Sequence, residues 1–105
     1  MKYIISNNEL DNIDDTNYCI YFYTSWMPYH KRMINIFSTI EKKYSFIKFY
    51  AVDCDSFKDL ALRFDVKEVP SLVIINNNKI IKKIIGIAMA SAIKKIFTDI
   101  YNKQT

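Results

Sequence analysis

Trp26-Met27-Pro28-Tyr29-His30-Lys31 gathers an indole, a thioether, a phenol and the chain's only imidazole into six residues. None of the six is a thiol, so the segment offers acid–base or soft-donor chemistry and no nucleophilic sulfur. A single histidine cannot complete a multi-histidine metal site. No cysteine cluster or spaced carboxylate set accompanies it, and neither a metal nor a cofactor is expected. Met27 and His30 together offer at most a weak pair of donors for a soft ion such as Cu(I). As an acid or base His30 shows no orienting partner in the sequence, and an exposed imidazole beside a helix start is the expected reading. Cys19 and Cys54 are the remaining sulfur candidates. Cys19 falls in an apolar, strand-like run, Cys54 ends a second strand-like run, and neither opens a helix, so both are expected to be buried, inert small hydrophobes with no catalytic role.

The chain around these residues has 105 positions, 50% hydrophobic and 25% charged, which suits one globular domain over residues 1–105 and excludes a disordered chain. Ile4-Ile5, Ile20 to Tyr23, Leu72 to Ile75 and Ile84-Ile85 fall far short of the ~20 apolar residues of a membrane span, so no membrane partner is expected. Met1 to Asp15 lacks the apolar stretch and cleavage site of a secretory signal, and a cytoplasmic or nuclear location is expected. The net charge of +4 is spread along the chain as lysines, with arginine only at 32 and 63. Clustered arginine interleaved with aromatics, the mark of a nucleic-acid surface, is missing, and no nucleic acid is expected.

The periodicity supplies the elements that position the six residues. Lys2 to Ser6 predicts a short strand, and Asn7-Asn8 before Glu9-Leu10 predicts a capped helix reaching about Ile13. Tyr18 to Thr24 has no polar alternation and predicts a central strand covered on both faces. Met33, Ile36, Phe37, Ile40 and Tyr44 mark one apolar stripe on a helix, with Pro28 in its first turn. Phe46 to Cys54 predicts a second buried strand, and Ser56 caps a helix carrying Leu60, Ala61 and Phe64. Ser71 to Ile75 and Lys79 to Ile85 predict a hairpin about Asn76-Asn77-Asn78, and Gly86 leads to a last helix with the stripe Met89, Ala92, Ile93, Ile96, Phe97 and Ile100. Strands alternating with helices predict an α/β domain with parallel crossover units, its central mixed sheet of about five strands flanked by four helices.

Four segments carry a family resemblance that spans essentially the whole chain. Tyr23-Thr24-Ser25-Trp26 with Lys31, Val52-Asp53-Cys54-Asp55, Val66 to Leu72 with its Val69-Pro70, and Gly86 resemble the corresponding motifs of the thioredoxin family. The resemblance implies the thioredoxin fold, with a cis peptide at Val69-Pro70. It also implies that Met27 and His30 stand where an active thioredoxin has Cys-x-x-Cys, with Pro28-Tyr29 replacing the intervening pair. The family's buried carboxylate corresponds to Tyr21, and the lysine near it to Ala51. Four losses on one proton and electron pathway identify a divergent member lacking the redox motif, most similar in pattern to the thioredoxin-like domain of multidomain monothiol glutaredoxins.

What remains is surface. In thioredoxins the tryptophan, the redox motif and the loop before the cis-proline form a shallow groove for extended peptide. The resemblance implies a peptide-binding rim of Trp26, Tyr29, Val69 and Pro70 around the degenerate positions Met27, Pro28, Tyr29 and His30. The expectation is a redox-inactive module that binds a protein or peptide partner, its oligomeric state open. Three alternatives stay open: an oxidoreductase using Cys19 or Cys54, an accessory domain in iron–sulfur trafficking, and a spliceosomal scaffold. A fourth possibility is that Trp26 and Tyr29 merely shield the helix start.

Overall fold

Asn17–Tyr23 (β2) lies at the centre of the molecule, flanked by parallel Lys48–Asp53 (β3) and antiparallel Ser71–Asn76 (β4). In the computed structural model, which describes residues 1–86 and 88–102, the sheet is completed by Lys2–Tyr3 (β1) beside β3 and Lys79–Ile85 (β5) beside β4. The order is β1-β3-β2-β4-β5, a mixed five-stranded sheet. Its central strands are apolar at successive positions because both faces are covered, as the unbroken apolar run of β2 requires.

His30–Lys43 (α1) and Ala90–Tyr101 (α3) cover one face, and Lys58–Arg63 (α2) the other. On α1 the buried residues Met33, Ile36, Phe37 and Ile40 repeat at steps of three and four, placing one stripe against the sheet. Tyr44 closes the helix through its N–H to the Ile40 carbonyl, and Lys42 and Lys43 in the last turn favour the negative end of its dipole. Asn77 and Asn78, both with positive φ, join β4 to β5 through the two-residue turn that suits a twisted hairpin.

Among the described residues three helices flank the sheet instead of the expected four. Between Ser6 and Asp11 the backbone makes only single-turn bonds, from Glu9 N–H to the Ser6 carbonyl and Asp11 N–H to the Asn8 carbonyl. The Glu9 carboxylate accepts from the N–H groups of Ile5 and Ser6, and the Asn- and Asp-rich stretch satisfies its backbone locally, outcompeting a helix with few apolar residues to anchor it. Other boundaries also move. Pro28 precedes α1, separated from it by Tyr29 in a left-handed conformation, and Ser56 precedes α2, whose cap position is Phe57. Met89 and Ala92 are exposed, so the buried stripe of α3 narrows to Ile93 and Phe97 with Ile96 and Ile100 at its margins. Lys94, Lys95 and Asp99 lie on the outer side as expected.

Candidate functional site

β2 ends at Tyr23 and the chain turns at once, Met27 N–H donating to the Thr24 carbonyl. The turn sorts its side chains. Met27 points inward at 6% exposure and joins the core beneath α1, whereas Trp26 (72%) and Tyr29 (58%) face solvent. Tyr29 takes φ of 64°, which brings the chain into α1 at His30. Pro28 is exposed between them.

Strand periodicity places Tyr21 and Tyr23 on the same face of the sheet, beneath the start of α1. The His30 ring lies nearly parallel to both, 4.5 Å from the Tyr23 centroid and 5.9 Å from that of Tyr21. Its Nδ1 is 2.9 Å from the Tyr21 hydroxyl oxygen. Tyr21 is fully buried, and burial, reinforced by Tyr23 and Tyr3, pushes its phenol far above the ordinary range, so it stays an O–H. Burial lowers the basicity of His30, with the Asp53 carboxylate pulling in the opposite direction. With the imidazole proton on Nε2 the phenol donates to Nδ1, and with it on Nδ1 the phenol oxygen accepts.

His30 is therefore half-buried instead of exposed, and the expectation that it lacks an orienting partner does not hold. The signal was present in sequence as the tyrosine pair at 21 and 23, two residues apart on a strand ending just before the motif. Reading it required knowing which face of β2 lies under α1.

Trp26 is exposed yet tethered. Its indole N–H donates to Asp55 Oδ2 at 2.8 Å, and Asp55 is itself oriented by a bond from its N–H to Asp53 Oδ1 at 3.0 Å. The Val69-Pro70 peptide is cis, as the resemblance implied. Pro70 is buried and lines a small cavity together with Met33 and Phe37 of α1, and the Gly86 N–H donates to its carbonyl at 2.8 Å, from a glycine whose φ of +84° favours the absence of a side chain. Val69 is half-buried and packs against both core clusters. Of the predicted rim, Trp26 and Tyr29 offer side chains, Val69 offers part of one, and Pro70 contributes backbone shape.

The two thiols lie apart from each other. Cys19 belongs to the core beneath α1 and α3, and Cys54 packs on the α2 face. Cys19 is fully enclosed, and burial raises its thiol far above the ordinary range. Cys54 is half-buried, a departure from the expected full burial. Its thiol is pushed up to about 11, first by burial and then by the carboxylates of Asp53 and Asp55, against a smaller opposing effect of a backbone bond to Tyr23.

A thioredoxin family model matches residues 6–99. The chain belongs to the thioredoxin family. It is 28% identical over 67 residues to thioredoxin H5 of Arabidopsis thaliana, a match covering 64% of this chain and 57% of that protein. Against monothiol glutaredoxin-4 of Schizosaccharomyces pombe it is 32% identical over 65 residues, covering 62% of this chain but 27% of that protein, so the glutaredoxin likeness is loose. The fold is that of Plasmodium falciparum thioredoxin, superposing with a TM-score of 0.85 at 22% identity over 94% of this chain and 98% of that one. In this chain the turn ahead of α1 presents an aromatic pair outside and a thioether inside.

Proposed function

We propose that this chain is a thioredoxin-fold docking module, silent in thiol–disulfide exchange, which holds an extended peptide or a protein partner at Trp26, Tyr29 and Val69-Pro70. One observation carries it: the turn residue that would have to expose a thiolate is the buried thioether Met27, while its neighbours Trp26 and Tyr29 remain outside. Exchange requires an accessible thiolate to attack and a second thiol to resolve the mixed disulfide. Cys19 and Cys54, on opposite faces of the sheet and with raised pKa values, are poorly placed for either step. The Asp55 tether holds the Trp26 ring in place before a partner arrives, which lowers the entropy lost on binding. Exposed aromatic anchors of this kind dominate binding energy at protein interfaces, and the backbone at Val69 suits strand-like addition of a peptide.

Relatives named thioredoxin favour a second reading, a thiol–disulfide oxidoreductase working through an atypical cysteine. One experiment separates the two. Peptides selected from a displayed library on the native protein are expected to lose roughly thirtyfold in affinity, about 2 kcal/mol, with Trp26→Ala/Tyr29→Ala. The native protein is expected to leave dithiothreitol-driven insulin reduction at background. Unchanged peptide affinity would remove the docking site, and turnover abolished by Cys54→Ser would establish the enzyme.

A further inference from the structure

Tyr21 is sealed from solvent, with its hydroxyl against an imidazole nitrogen at 2.9 Å. A phenol gives up one electron readily only when its proton leaves with it, because the oxidised phenol is a very strong acid. A buried phenol cannot release that proton to water, so a base within hydrogen-bond distance decides whether oxidation can occur. His30 is placed as that base: its Nδ1 lies 2.9 Å from the hydroxyl, burial keeps the ring neutral, in the Nε2-protonated tautomer the Nδ1 lone pair faces the phenol, and Asp53 favours the imidazolium once formed. Three other tyrosine hydroxyls are less well served. Tyr44 and Tyr101 have no partner for theirs, and Tyr50 donates to Asp15 at 3.1 Å, a carboxylate and hence a weaker base than imidazole. The pair also connects to the surface through rings. Tyr23 stacks on Tyr21 at 5.3 Å, and Tyr3, 46% exposed, meets Tyr23 edge-on at 6.3 Å.

We propose that Tyr21 and His30 form a proton-coupled one-electron donor, in which an oxidising equivalent arriving at the surface comes to rest on the Tyr21 phenol. An outer-sphere one-electron oxidant takes one electron and is reduced by one. The Tyr21 O–H bond breaks, its proton passes to His30 Nδ1, and a neutral phenoxyl radical is left beside an imidazolium. A one-electron reductant such as ascorbate reverses the step, the proton returning from Nδ1 to the phenol oxygen. The step needs no docked partner, although His30 directly follows the rim residue Tyr29.

The test uses the full chain with photogenerated tris(bipyridine)ruthenium(III) as oxidant, followed by tyrosyl absorption and high-field electron paramagnetic resonance. The expected result is a long-lived tyrosyl radical with the g-tensor of a hydrogen-bonded phenoxyl. Tyr21→Phe removes that component and Tyr50→Phe leaves it in place. His30→Gln can still hydrogen-bond but has no basicity, and is expected to shorten the radical lifetime roughly tenfold or more. A signal that survives Tyr21→Phe overturns the proposal. So does a lifetime unaltered in His30→Gln, a variant whose change at the turn does not depend on Tyr21→Phe folding.

Discussion

The two faces of the sheet connect their aromatic rings differently. Under α1 and α3 Tyr21, Phe37, Phe49, Phe97 and Tyr44 form one continuous chain of ring contacts. Under α2 the rings meet as separate pairs, Tyr18 with Tyr50 and Phe22 with Phe64, set among Ile4, Leu10, Ile20, Val52, Leu60, Val73 and Ile75. The turn ahead of α1 adds Met27 to the core beneath that helix and stacks His30 on Tyr21 and Tyr23, so the connected rings reach the candidate site.

The largest expected effect tests this contrast directly. Phe97 touches Tyr44, Phe49 and Tyr101, so Phe97→Ala is expected to cost about 3–5 kcal/mol in urea unfolding. Leu60→Ala, on a helix of six residues, is expected nearer the low end of about 2–5 kcal/mol. Equal losses would mean that the aromatic face holds no special share of the stability.

A smaller effect separates the faces by their thiols. At mildly alkaline pH Cys54, raised to about 11, holds on the order of 10²-fold less thiolate than a free thiol titrating near 8.5, so native labelling should be slow. Cys19 should react more slowly still, and only through unfolding. Rapid modification of Cys19 in native protein, read by mass spectrometry, would show that the aromatic face opens.

The smallest effect is a slope. An unfolded histidine titrates near about 6.5, and His30 is held below its ordinary value in the fold. Between the two values the unfolded chain binds the proton more tightly. The stabilisation from neutral His30 is therefore complete above about 6.5 and is lost as pH falls through the folded value. Unfolding midpoints measured across that window should decline for the native protein and less so for His30→Gln. A native slope no steeper than the variant's would mean that burial does not restrain the imidazole.

Much of this architecture was legible from periodicity. The apolar run of β2, the stripe on α1 and the Asn-rich turn each have one economical solution, and the structure adopts it. The missed helix near Glu9 shows the limit, since a cap signature predicts a helix only when enough apolar residues follow to anchor it. At the site, the family resemblance implied the cis Val69-Pro70 and singled out Trp26, Met27, Tyr29 and His30, but could not say which side chains turn inward. Met27 going in and Tyr29 going out depend on the left-handed conformation at Tyr29, which a non-glycine residue rarely takes and sequence does not announce. The Tyr21–His30 bond and the Asp55 tether join separate elements, and each becomes visible only once β2, β3 and the turn are placed together.

Trp26 is the chain's single tryptophan, and it is pinned at the rim with most of its ring in water. The intrinsic indole fluorescence of the protein thus originates at one spot. An apolar group settling over that ring should shift the emission towards the blue without any attached dye, giving the molecule a built-in optical readout of its own occupancy.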